Sequence, residues 1–97
     1  MLYEVLLAQE AVQDLKDLPA HLRSAVRDAM YARLCHEPER TSKSSVKRLR
    51  GISRPQYRLR VGTIRVFYDV EGSEVHVLAV VEKTRAGEWL KKAGVPS

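Results

Sequence analysis

The stretch YRLRVGTIRVFYDVEGSEVHVLAVV, residues 57–81, decides the fold. Its apolar residues recur at every second position, the period of a half-buried β-strand. Tyr57, Leu59 and Val61 alternate with Arg58 and Arg60. Ile64, Val66, Tyr68 and Val70 alternate with Arg65, Phe67 and Asp69. Val75, Val77, Ala79 and Val81 alternate with His76, Leu78 and Val80. Gly62-Thr63 and Glu71-Gly72-Ser73 are breaks of turn length, so the spacing predicts three antiparallel strands in a meander.

Toward the N-terminus the period changes. Ala8, Ala11, Val12, Leu15 and Leu18 fall at helical spacing, as do Leu22, Val26, Ala29, Met30 and Leu34. Pro19 separates the two runs and suits the first turn of the second, so residues 8–18 and 20–36 read as a helical hairpin. Leu2–Leu7 is short and apolar, lacks a basic flank and carries Glu4; it reads as a strand rather than a secretory signal. Residues 39–45 form a polar loop, Val46–Gly51 leads into the second half, and Pro55 argues against a central strand before it. Trp89 and Leu90 lie in a helical context over 84–93, with Gly94 as its cap. The order is strand, helical hairpin, three-stranded antiparallel meander and short C-terminal helix. That is an α+β fold with helices on one face of the sheet and the other face open.

The 97 residues make one domain, 1–97. The single Cys35 excludes an intramolecular disulfide and fits a reducing cytoplasm. No apolar run approaches the roughly 20 residues of a membrane helix. One cysteine and three histidines offer no metal-ligand spacing, and the five glycines form no phosphate loop, so no metal or cofactor is expected.

Charge is unevenly placed. From Arg40 to Tyr68, 29 residues, there are nine Lys or Arg and no Asp or Glu. Outside that stretch 8 basic and 12 acidic residues remain, so it carries more than the whole net charge of +5. A basic run is ordinarily a solvated surface. Here alternation places Arg58, Arg60 and Arg65 on the open sheet face, and like charges that close repel unless an anion offsets them. Lys47, Arg48 and Arg50 approach the same strands and are candidates for holding a polyanion by general electrostatics. His76 is the weak candidate for a proton carrier; His21 and His36 have no partners. RNA cleavage suits so sparse a set, because the 2′-hydroxyl is the nucleophile and cations position and stabilise the phosphate.

The motifs LKDLP (15–19), VKRLRG (46–51), YRLRVGTIRVFYDV (57–70) and VHVLAVVEKTR (75–85) resemble, in order and spacing, the RelE/ParE toxins of bacterial toxin–antitoxin systems. The resemblance implies a small cytoplasmic toxin held by a cognate antitoxin. RelE-like members cleave mRNA in the ribosomal A site; ParE-like members inhibit DNA gyrase. It also implies that Arg58 and Arg60 match the family's basic pair, that Arg65 matches the arginine of its R-x-x-Y motif, and that Arg85, with Lys83 beside it, matches its late arginine. A transition-state role for Arg65, Arg85 and Lys83 follows from the same resemblance. The family's C-terminal tyrosine has no counterpart, because Trp89, Leu90 and Lys91 stand there. Trp89 is able to stack on a base. The leading expectation is a ribosome-dependent mRNA endoribonuclease. Gyrase inhibition and RNA binding without cleavage stand as the other two.

Overall fold

A computed structural model describes residues 2–97. Strand β1 (Glu4–Leu7) is followed by helices α1 (Gln9–Asp17) and α2 (Ala20–Leu34). Then come β2 (Val46–Arg48), β3 (Ile52–Arg54), β4 (Tyr57–Val61), β5 (Ile64–Glu71) and β6 (Glu74–Glu82). Helix α3 (Lys83–Ala93) and the short β7 (Val95–Pro96) close the chain. Five strands form the main sheet in the order β1-β6-β5-β4-β2, and β3 pairs with β7 apart from it. The predicted meander is β4, β5 and β6, each antiparallel to the next, while β1 joins β6 in parallel.

The helical hairpin lies on one face of this sheet. Ala11 and Leu15 of α1, and Val26, Met30 and Leu34 of α2, pack with Tyr57, Leu59, Ile64, Val66, Tyr68, Val75 and Val77 in one buried cluster. Val12, placed with this stripe by spacing, is 39% exposed because the α1 stripe narrows to Ala11 and Leu15. Pro19 caps α2 in an extended conformation, as its fixed φ favours. Arg23 then reaches back over the break. Its Nε donates to the Leu15 carbonyl at 3.1 Å, and its Nη2 to those of Leu18 and Lys16 at 2.9 and 3.3 Å. A cation thereby bonds carbonyls at the end of α1, where the Leu15 carbonyl also accepts the Leu18 N–H.

Three local expectations are corrected. Val46–Arg48 is not a mere approach to the sheet but its fifth strand, paired with β4. The alternation of β6 does not run unbroken, because the β5–β6 register slips between Phe67 and Tyr68. Tyr68 is level with Val77 and Phe67 with Ala79, which leaves Leu78 as the extra residue of a bulge. Beyond it the phase reverses: Val80 enters the core cluster, while Ala79 and Val81 turn to the other face beside Phe67 and Arg65. Finally, the second face is not fully open. The Trp89 ring of α3 stacks on Phe67 with centroids 4.9 Å apart and planes within 7°, and Phe67 is wholly buried. A large apolar side chain in a polar phase needs such a cover.

Candidate functional site: a carboxylate-free cationic face

β4 and β5 bring the expected arginines together. Arg60 stands directly opposite Arg65, and Arg58 opposite Phe67, all on the face turned away from the helical hairpin. β2 adds Lys47, paired with Arg58. No carboxylate lies within ion-pair distance of Arg58, Arg60, Arg65 or Lys47 among the described residues. Arg58 Nε is buried and donates to no acceptor among the described residues. Burial, then the neighbouring Arg58 and Arg60, lower the pKa of Arg65 below the ordinary guanidinium value. Burial is the larger cause; the part due to Arg58 and Arg60 is like-charge repulsion, which a bound anion would relieve.

Arg65 is also held in place. Its Nη1 donates to the carbonyls of Gly62 and Ile64 at 2.9 and 3.1 Å. Gly62 sits at φ +58°, a conformation that side chains other than glycine's rarely adopt, so the tight hairpin and the guanidinium anchor come from one residue. A second anchor was not legible in advance. Asp69 is buried at 3% exposure and accepts the Gln56 backbone N–H at 2.7 Å and Arg54 Nε at 2.9 Å. Its carboxylate fixes the entry into β4 and consumes one of the nine cations of the acid-free stretch. Arg40 is consumed likewise by Glu37, at 3.0 Å. The only signal for Asp69 was an acid among the apolar residues Val66–Val70 of β5.

The remaining candidates are spread around this centre. Arg48 turns to the opposite side, its guanidinium 5.2 Å from the centre of the Tyr57 ring and its Nη1 bonded to the Gln56 carbonyl. Arg50 is exposed in the turn after β2. Lys83 opens α3, and its backbone N–H reaches the Thr63 carbonyl of the β4–β5 hairpin, at the Arg60–Arg65 end of the sheet. Arg85 lines the groove between α1 and α3 in company with Glu10, Asp14 and Trp89. Trp89 donates Nε1 to Glu10 at 2.7 Å, which ties α3 to α1. His76 lies level with Asp69, four residues along β5 from Arg65 and so about 13 Å away. It is engaged by Glu74 at 3.0 Å and stands 3.9 Å from Glu71. Tyr68 points into the core, as alternation requires, and its hydroxyl donates to the Pro38 carbonyl at 2.6 Å. No cluster of three metal-ligating side chains occurs among the described residues.

The model of the ParE toxin of type II toxin–antitoxin systems matches residues 5–87. The chain belongs to the RelE/ParE toxin superfamily. It is similar to a chain of a RelBE toxin–antitoxin complex from Mycobacterium tuberculosis, with 28% identity over 84% of this chain and 99% of that one and a TM-score of 0.68. A chain of the archaeal RelE–RelB complex from Pyrococcus horikoshii gives 27% identity, 88% and 99% coverage and a TM-score of 0.65. A RelE toxin mutant from E. coli in the free state shares the fold at 18% identity and a TM-score of 0.58, over 96% and 95% of the two chains. No curated protein matches the chain. The family model is of a ParE and the solved structures are of RelE; both describe toxins of toxin–antitoxin systems. The matched residues 5–87 include the whole meander and every arginine of the cationic face.

Proposed function

We propose that this toxin acts as an endoribonuclease on mRNA at the ribosome, with the Arg58–Arg60–Arg65 face as the grip on the scissile phosphate. One observation carries the reading: two guanidiniums face each other across β4 and β5, and a third buries an Nε that has no acceptor among the described residues. A phosphodiester supplies what the three lack, namely negative charge and planar pairs of oxygen acceptors. The 2′-hydroxyl gives up its proton and forms a bond to phosphorus. The bond from phosphorus to the 5′-oxygen of the next nucleotide breaks, and that oxygen leaves as a hydroxyl after gaining a proton. Between the two events the phosphoryl oxygens carry further negative charge. Arg65, preorganised by the hairpin carbonyls, opposes that charge without having to move. Lys83 and Arg85 serve in this reading as additional cations from α3. The one histidine of this sheet face, His76, lies about 13 Å from Arg65 and is engaged by Glu74, so proton transfer falls to solvent or to groups of the RNA and ribosome. A cognate antitoxin holds the toxin inactive in this reading, which the likeness to chains of toxin–antitoxin complexes supports.

The test is cleavage of an mRNA in a purified translation system. Arg65→Ala is expected to lower the rate about 100- to 1,000-fold, the usual loss for one transition-state donor, with an unchanged unfolding curve. Full activity of that variant would overturn the role of the arginine face. A second reading, inhibition of DNA gyrase, is favoured by the ParE family model and by the distance of His76 from the arginines. A supercoiling assay separates the two: inhibition of gyrase without any mRNA cleavage would decide for it. RNA binding with neither effect would leave a non-catalytic binding module.

A further inference from the structure

The edge of the sheet beyond Arg58 is a second cationic feature. An open depression of about 650 Å³ runs along β2, lined by Lys43, Lys47, Arg48, Arg50 and Arg58 together with the Thr41 and Ser42 hydroxyls and Val46. No carboxylate lines it. Four of its five cations, all but Arg48, have no hydrogen-bond or ion-pair partner among the described residues. Arg58 belongs both to this depression and to the arginine face, so the two are continuous. Lys47 is two strands away from Arg65, roughly 10 Å across the sheet, far enough for an extended RNA strand crossing the sheet to present a different phosphate to each.

Resting on the reading given above, we propose that the β2 edge is a separate phosphate subsite. It holds the single-stranded RNA flanking the scissile bond, with Lys43, Lys47 and Arg50 as its contacts. These side chains bind the chain of phosphates; they do not touch the reacting atoms. Long flexible cations along an edge suit a backbone that varies in conformation, whereas the anchored Arg65 suits one fixed phosphate.

The test is binding of a fluorescent single-stranded RNA oligonucleotide by the purified full chain across a series of salt concentrations. Each phosphate contact to a single strand contributes about 0.7 to the slope of log affinity against log salt. Lys47→Ser/Arg50→Ser is therefore expected to flatten the slope by about 1.4. Lys16→Ser/Arg27→Ser removes equal charge from the helical hairpin and is expected to leave the slope alone. Equal flattening by both pairs, or by neither, overturns the subsite. If Arg58→Ala weakens binding while Lys47→Ser/Arg50→Ser does not, the grip stands and the subsite falls. If the wild-type chain shows no salt-dependent RNA binding at all, the RNA reading itself falls.

Discussion

Arg60 and Arg65 show the cost of function at single residues. Like charges placed directly across an antiparallel pair destabilise it, and no carboxylate among the described residues pairs with these two. Arg60→Gln is therefore expected to hold or raise stability, by up to about 1 kcal/mol in a urea titration, while weakening RNA binding. Tyr68 is the converse case. Burial pushes its phenol well above the ordinary value, and the hydroxyl is committed to Pro38. Tyr68→Phe should cost about 1–3 kcal/mol, because the buried Pro38 carbonyl loses its donor; urea unfolding measures this. Asp14 gives a pH dependence. Burial raises its pKa above 3.8, more than the hydrogen bond from the Val80 N–H lowers it. A carboxyl with a raised folded pKa binds its proton more tightly in the native state, so its effect on stability becomes unfavourable as pH rises through that range. Asp14→Asn keeps an acceptor for Val80. Its stability relative to wild type should climb from pH 3.8 upward, level off above the raised value, and be flat below 3.8. Neither Tyr68's acceptor nor Asp14's burial was legible in the sequence, since both depend on segments distant along the chain.

At the scale of elements, α3 is held by very little. None of its residues is fully buried; it rests on the Trp89–Phe67 stack, the Trp89–Glu10 hydrogen bond and the short pairing of β7 with β3. Phe67→Ala should cost about 3–5 kcal/mol as a fully buried aromatic. Trp89→Ala should cost less, and the two combined should show a coupling of about 0.5–1.5 kcal/mol in a double-mutant cycle by urea unfolding. The connection from α3 to β7 depends on Gly94, where an added Cβ would stand 2.5 Å from the Leu90 carbonyl oxygen. The helix itself was legible from Trp89 and Leu90. Its seat was not, because period-two alternation assigns Phe67 to the polar side and says nothing about what lies over it. The β6 bulge escaped for a related reason: a bulge shifts phase without changing composition, and a run of valines reads equally well in either phase.

For the whole molecule, charge is sorted over one sheet face. Lys47, Arg58, Arg60 and Arg65 gather at one end, while Asp69, Glu71 and Glu74 surround His76 at the other, with the Phe67–Trp89 stack between them. A cationic end of this kind draws a polyanion from a distance and does so less in high salt. Expression of the chain alone is expected to arrest growth, and co-expression with its antitoxin to restore it; colony counts on inducing plates decide. By itself the sequence determined the hairpin, the meander and which arginines share a strand face, because those follow from periods of 3.6 and 2 and from two short turns. Only the tertiary structure decided that β2 completes the sheet, that α3 roofs Phe67, that Asp69 and Glu37 neutralise two of the nine cations, and that Arg85 lies among acids beside α1. Periodicity is a property of neighbours along the chain. Partnership between charges depends on which segments the fold brings together, and no local pattern records that.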